Sequence, residues 1–237
     1  NFTIDATSGV LKFLSAPDYE NPTDANRDNL YAVTVVATDA RGATDAQRIQ
    51  VAVTDVVGIT KTASLLGGTL NGTGEQDVLT AGWLSTTLNG LGGNDRLVGG
   101  LSADKLFGGD GDDVLTGARG ADQLTGGAGR DIFRYADKAD SGTSSASRDV
   151  ILDFRSGEDR IDLSAIDANT RVAGNQAFAL LKAGAPLTGP AQIRFSYETI
   201  GGKEYTVVEG NTDASRLPDF SVALLGHHDL KAADFIF

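Results

Sequence analysis

The chain has 237 residues, with 20 basic and 32 acidic side chains and a formal net charge of −12, which leaves room for two or three small domains rather than one large core. That sign argues against nucleic acid or an anionic membrane surface as a partner and favours cations. Cysteine is absent, so disulfides, thiolate chemistry and Cys-based zinc sites are excluded, and a bound metal is the obvious remaining staple.

Residues 1–57 alternate in the manner of strands. Asn1–Asp5 reads as strand and turn, not as a signal peptide. Methionine is also absent, and the sequence reads as a fragment or a processed product. Ser8-Gly9 is a hairpin turn between Phe2/Ile4 and Leu11/Phe13. Leu30–Ala37 and Arg48–Asp55 are half-buried strands by the period-two rule, with the turn signal Thr38–Gly42 between them. The region is expected to form part of an antiparallel β-sandwich. Phe2-Thr3-Ile4-Asp5-Ala6-Thr7-Ser8-Gly9-Val10-Leu11, then Pro17-Asp18-Tyr19-Glu20, then Tyr31–Asp39, resemble the later strands of a cadherin-like repeat. The resemblance implies that Asp18, Glu20 and Asp39 bind calcium and that the chain begins inside a domain. The exit, Asp55-Val56-Val57-Gly58, departs from that family by offering one acid where several are usual.

Residues 58–71 are expected to be a linker or a degenerate first rung. From Gly72 to Arg134 the chain falls into nines. The sixth position holds Asp77, Thr86, Asp95, Asp104, Asp113, Asp122 and Asp131; the eighth holds Leu79, Leu88, Leu97, Leu106, Leu115, Leu124 and Phe133. Two units, Gly108–Thr116 and Gly126–Arg134, match G-G-x-G-x-D-x-U-x in full. These repeats resemble the calcium-binding nonapeptides of the RTX, or hemolysin-type, proteins.

Each nonapeptide divides into a six-residue turn and a three-residue strand. The apolar eighth residue points inward, while its neighbours, such as Arg96 and Val98 or Lys105 and Phe107, face solvent. Two nonapeptides make one coil of a parallel β-roll, so turns on one edge recur every about 18 residues. The turns need glycine for backbone conformations closed to other residues. The cage for Ca²⁺ is expected from position-six carboxylates and backbone carbonyls, since that cation takes six to eight oxygens in tolerant geometry. One edge would carry Asp77, Asp95, Asp113 and Asp131. The other would carry Asp104 and Asp122, with Asp140 in phase. The glycines expected to line the cages are Gly90, Gly93, Gly99, Gly108, Gly109, Gly111, Gly126, Gly127 and Gly129. Thr86 puts no acid at position six, and Glu75, Leu91, Ser102 and Ala118 replace expected glycines, which weakens those turns. Several calcium ions are expected. Without them the stacked acids repel one another and the chain expands.

Residues 135–237 are expected to form a β-rich cap. Arg148–Ser164 resembles the segment that closes the roll in the serralysin-type C-terminal region. Asp149 and Asp153 either complete the last calcium site or serve as loop acids and polar partners of the cap. Phe195–Tyr197 and Glu204–Glu209 read as strands around a Gly201-Gly202 turn. The final residues, Asp234-Phe235-Ile236-Phe237, look like an uncleaved type I secretion signal. No apolar run is long enough to span a bilayer.

Catalysis is not expected. His227 and His228 are adjacent, so on a strand they face opposite sides, and neither H-E-x-x-H nor G-x-S-x-G occurs. The fold class expected is all-β: a parallel β-roll with a β-rich C-terminal cap and a partial antiparallel β-sandwich. The function expected is the calcium-binding end of a type I secreted protein, an adhesin or cell-surface protein of a Gram-negative bacterium, with the secretion machinery and adhesive ligands as partners. The alternative is the tail of a secreted hydrolase (metalloprotease or lipase) or of a toxin whose catalytic part lies elsewhere.

Overall fold

The computed structural model describes residues 2–5, 7–17, 22–54, 58–63 and 67–237. They divide into two compact units, 1–56 and 57–237.

In the first unit, β1 (Phe2–Ile4) and β2 (Leu11–Phe13) pair antiparallel, and so do the longer β3 (Leu30–Thr38) and β4 (Thr44–Ala52). The β1–β2 turn is tied by Asp5, whose Oδ1 accepts the N–H groups of Thr7 and Ser8. Phe2 and Phe13 pack with centroids 4.4 Å apart, and Phe13 meets Tyr31 edge-on at 5.1 Å. Tyr31 is the buried centre of this small core. Burial alternates along β3, as expected of a strand with one face covered.

The second unit is a coil with two sheets. Its strands in chain order are β5 (Thr60–Thr62), β6 (Gly68–Asn71), β7 (Val78–Thr80), β8 (Thr86–Gly92), β9 (Arg96–Val98), β10 (Lys105–Asp110), β11 (Val114–Thr116), β12 (Gln123–Ala128) and β13 (Ile132–Arg134). Then come β14 (Asp149–Ile151), β15 (Arg160–Asp162), β16 (Ala179–Leu180), β17 (Gln192–Ile200), β18 (Lys203–Asn211), β19 (Phe220–Leu225) and β20 (Phe235–Ile236). Odd-numbered strands from β5 to β15, closed by β20, make one parallel sheet; β6, β8, β10, β12 and β14 make the other, which continues through β19 into an antiparallel hairpin of β18 and β17. Leu88 pairs with Leu106 and Leu106 with Leu124; on the opposite sheet Leu79 pairs with Leu97, Leu97 with Leu115, and Leu115 with Phe133. The register therefore advances one coil, two nonapeptides, at every step.

All seven position-eight residues are fully buried and form one core with Ile151, Ile161, Leu224 and Phe235. The flanking Arg96, Lys105 and Phe107 are exposed. A single inward side chain per three-residue strand suffices because the two sheets face each other, so alternate strands fill the space from both sides.

Parallel pairing runs past both ends of residues 72–134. Upstream, Thr60 pairs with Val78 and Gly68 with Thr86. Downstream the coils lengthen: Gln123 pairs with Val150 and Ile132 with Arg160, then Asp149 with Val222 and Ile161 with Phe235. The region expected as a cap thus contributes further coils, with loops and a hairpin inserted between their strands. The two sheets end differently, one on β16, which pairs parallel to the hairpin strand β17, and the other on β20. Among the described residues no helix is long and apolar enough to cross a membrane.

Candidate metal centre

Two columns of turns join the sheets. On the first edge, turns run from β6, β8, β10, β12 and β14 into β7, β9, β11, β13 and β15. Each ends in a position-six acid whose Oδ1 accepts the backbone N–H of the equivalent residue one coil earlier. Asp77 N–H donates to Asp95 at 2.7 Å, Asp95 to Asp113 at 2.7 Å, Asp113 to Asp131 at 3.0 Å and Asp131 to Asp159 at 3.0 Å. On the second edge the same link joins Thr86 to Asp104 and Asp104 to Asp122, both at 2.7 Å, and Asp122 to Asp149 at 2.8 Å. These acids are all at most 2 % exposed.

The other carboxylate oxygen points elsewhere. Oδ2 of Asp95, Asp113, Asp122, Asp131 and Asp149 is buried without a hydrogen-bond partner. In Asp95, Asp113, Asp122 and Asp131 it lies over the first glycine of its own repeat, and in Asp149 over Gly117, one coil earlier. A Cβ added at Gly90 would collide with Asp95 Oδ2 and the Gly108 carbonyl; one at Gly108 would collide with Asp113 Oδ2 and the Gly126 carbonyl; one at Gly126 would collide with Asp131 Oδ2. At Gly99 the obstacle is the Gly117 carbonyl, with Asp104 Oδ2 3.1 Å away. Position one is glycine to make room for oxygens. The glycines further along the turn serve the backbone: Gly109 (φ 119°), Gly111 (φ 131°) and their counterparts Gly127, Gly129 and Gly93 adopt positive φ. Leu91 and Ala118 hold positive φ without being glycine, so those turns keep their shape at the expense of backbone strain.

A column of buried carboxylates is electrostatically unfavourable by itself. Burial, the largest cause, pushes Asp95 and Asp131 up to about 6, Asp113 to about 7 and Asp122 to about 8. The charges of stacked neighbours raise them further, and the accepted backbone N–H opposes both. Asp104, Asp149 and Asp159 are raised by burial too. A cation placed against the Oδ2 atoms would reverse these shifts.

The donor set suits a hard cation: carboxylate and carbonyl oxygens, with no nitrogen or sulfur. Among the described residues no three His, Cys, Asp or Glu side chains gather into a metal-binding group. An ion on either edge would therefore be held by one or two carboxylates and complete its shell with backbone carbonyls and water. The unpartnered Oδ2 atoms and the room over each first glycine fit that arrangement.

The other candidate residues fall outside the columns. Asp140 was expected in phase, but the step from Asp122 to Asp149 is 27 residues, so an inserted turn hands its place to Asp149. Asp140 instead accepts the N–H groups of Ala136 and Asp137 beside a short 3₁₀ turn, Lys138–Asp140. Asp153 accepts the N–H groups of Gly126 and Gly127 and so caps the last glycine pair. Asp39 is exposed and closes the β3–β4 turn by accepting from Arg41 and Ala43. Asp18 and Glu20 lie outside the described residues. Sequence reasoning missed Asp159, which sits 28 residues past Asp131; the only signal for it was its place before Arg160-Ile161-Asp162, an acid two residues ahead of an apolar one, as in every repeat but that of Thr86.

The first edge carries a second, outer ladder. Asn94 Oδ1 accepts the N–H of Asp112, and Asp112 Oδ1 accepts that of Arg130, both at 2.8 Å, with an Arg130–Asp112 ion pair outside. These position-five links run opposite in sense to the position-six ones and need no ion. His228 Nε2 lies 2.9 Å from the Leu225 carbonyl, and His227 stacks on Tyr197 at 3.8 Å.

Comparison with known proteins bears on residues 69–237, which match the family described as Peptidase M10 serralysin C terminal. Among solved structures, the R3 subunit of AlgE6, a mannuronan C5-epimerase of Azotobacter vinelandii, is similar at 28 % identity, with 78 % of this chain and 82 % of that one covered and a TM-score of 0.38. The R2 subunit of the same epimerase is similar at 26 % identity, with 72 % and 92 % covered and a TM-score of 0.39. No curated protein matches. With its matched segment spanning most of the chain, the protein belongs to the Peptidase M10 serralysin C-terminal family.

Proposed function

We propose that residues 57–237 form a calcium-dependent folding module, in which ions held along the two edges neutralise the acid columns and make the coil compact. The observation that carries this reading is the set of buried, unpartnered Oδ2 atoms over the first glycines. Extracellular calcium modules bind at about 10⁻⁴–10⁻³ M, so such sites would stay empty inside a cell and fill outside it. Export through type I machinery, with Asp234–Phe237 as the address, fits that order of events. Phe235 and Ile236 pair with Ile161 and Asp162 in the last coil, so the address would be read before folding.

The role of the module is to fold and present the rest of a secreted or cell-surface protein, with no reaction of its own. The strand-rich first unit supports an adhesin, in which calcium stiffens a string of β-modules and cell-surface ligands are the partners. A second reading, the tail of a secreted metallopeptidase, is favoured by the family match. Calcium titration followed by far-UV circular dichroism and by calorimetry tests the common part. Cooperative gain of β-structure with Ca²⁺ and not with Mg²⁺, which demands stricter octahedral geometry, is expected. A spectrum unchanged up to millimolar calcium would overturn the reading.

A further inference from the structure

Two position-one glycines of the first edge follow asparagine. Asn71-Gly72 and Asn89-Gly90 are the Asn-Gly pairs of the sequence, and they stack one coil apart, Asn71 opposite Asn89 between β6 and β8. Their side chains are tied to each other, Asn89 Nδ2 donating to Asn71 Oδ1 at 2.6 Å. The backbone is tied as well. Gly72 N–H donates to the Asn89 carbonyl at 2.8 Å, and Gly90 lies within β8, which pairs with β6 on one side and β10 on the other. Neither glycine is at positive φ. A Cβ added at Gly72 would collide with Asp77 Oδ2 and the Gly90 carbonyl, and one at Gly90 with Asp95 Oδ2 and the Gly108 carbonyl. The backbone at both positions is therefore packed against the oxygens of the turns.

Asparagine before glycine is open to an intramolecular reaction, because glycine puts no side chain in the way. The glycine nitrogen attacks Cγ of the asparagine. The N–Cγ bond forms, the Cγ–Nδ2 bond breaks, and Nδ2 leaves as ammonia with the proton of the glycine N–H. Water then opens the five-membered imide. Opening at Cγ gives aspartate; opening at the backbone carbonyl gives isoaspartate, whose main chain carries one more carbon. The folded coil obstructs the first step. Parallel strands hold ψ at about +115°, whereas ring closure needs ψ of the opposite sign. The Gly72 N–H is committed to a carbonyl, and each asparagine amide is held by the other. An unfolded chain has none of these restraints. We propose that Asn71-Gly72 and Asn89-Gly90 are deamidation sites that the folded coil closes and the unfolded chain opens, so that time spent unfolded is written into the first edge as isoaspartate. An added main-chain carbon ahead of Gly72 or Gly90 moves that glycine out of step with Asp77 or Asp95, and the strand register with it. The proposal rests on the reading that calcium folds the coil and adds an irreversible consequence of staying unfolded. Asn71, on the terminal strand β6, is the less protected of the two, since edges open more readily than interior strands.

The test ages the full chain at mildly alkaline pH in chelator and in calcium, with circular dichroism recorded on the same samples. Trypsin then releases residues 62–96, which carry both pairs and, as an internal control, Asn94-Asp95. In chelator Asn71 and Asn89 are expected to convert, read as the mass gain of amide-to-acid exchange and as labelling by isoaspartyl methyltransferase, with Asn94 intact. In calcium the conversion is expected to be at least about tenfold slower, with Asn71 ahead of Asn89. A parent chain aged in chelator is expected to recover only part of its calcium transition, whereas Asn71→Gln/Asn89→Gln, which cannot close the five-membered ring, recovers all of it. Equal conversion in both buffers, in samples whose spectra show that calcium folds the coil, overturns the proposal and leaves the folding module standing. Full recovery by a parent chain whose Asn71 and Asn89 have converted does the same, and neither readout needs the variant. Spectra that calcium leaves unchanged overturn the proposed function and this inference together.

Discussion

The N–H of Asp95 donates to Oδ1 of Asp113, one coil further on, at 2.7 Å, while Oδ2 of the same carboxylate is buried without a partner. One oxygen serves the backbone and the other is left for a ligand. Asp113→Asn separates the two duties, since the amide keeps the accepting oxygen and loses the charge. In chelator the variant should be more stable to urea than the parent, because a buried charge is gone. In calcium it should need about tenfold more ion to reach its folding midpoint, a loss of about 1.4 kcal/mol. Identical behaviour of variant and parent in both buffers would sink the assignment.

Stability should depend on pH with a sign set by the ion. In chelator, Asp95 and Asp131 at about 6, Asp113 at about 7 and Asp122 at about 8 lie above their ordinary 3.8. The folded coil then holds protons that the unfolded chain gives up. This contribution to stability is fully present below pH 3.8 and is lost as pH rises to about 8. Urea midpoints in chelator should fall from pH 5 to pH 8. In saturating calcium the bound ion holds the same groups deprotonated, as they already are in the unfolded chain above pH 5, so the midpoints should stay level over that interval and fall only as pH drops towards 3.8.

Gly108→Ala tests the room over the first glycine. The new methyl group would collide with Asp113 Oδ2 and the Gly126 carbonyl. Gly108 is not among the glycines at positive φ, so backbone strain is not the cause. The variant should lose calcium affinity and keep little of the cooperative transition. Gly111→Ala, at φ 131°, should instead destabilise the coil with and without calcium.

The turn at 81–86 predicts a coupled effect. Ala81 holds position one, Thr86 holds position six, and the Thr86 N–H already donates to Asp104 Oδ1. Thr86→Asp alone should destabilise the coil, because the Ala81 methyl group stands where the new Oδ2 would lie. Ala81→Gly/Thr86→Asp should restore stability in calcium and add one ion to the stoichiometry measured by calorimetry. An added ion in the single Thr86→Asp variant would contradict the steric account.

Leu106→Ala leaves the ligands intact and opens a cavity between the sheets. A cost of about 2–5 kcal/mol is expected from denaturant titration in calcium. Phe107→Ala, one residue along and facing solvent, should stay within about 1 kcal/mol.

The repeat told the coil and its edges from the sequence because strand and turn have fixed lengths there. Leucine at every ninth residue fixes which side chain points in, and the aspartate two residues earlier follows by the same count. The count failed once turns took in extra residues. Asp149 holds its column position at an offset of 27, three nonapeptides where a regular coil takes two, and Asp159 at an offset of 28, which is no multiple of nine. In the first unit, turn chemistry was legible at Ser8-Gly9 and Asp39. The use of Asp39 as a hairpin clasp was not, since a turn acid and a metal acid are the same residue type in the same place.

Because each coil touches only the coil before and the coil after, a pull applied at Thr60 works against one rung at a time. Every rung released there would free about 60 Å of extended chain. The rungs nearest that end are the ones with Thr86 and Glu75 in place of the repeat's preferred residues, whereas the far end is closed by strands brought together across long insertions. Under tension the module would yield from its upstream side, in steps that are equal along the repeats and longer where the coils take in extra residues, with a height that rises with the calcium around it.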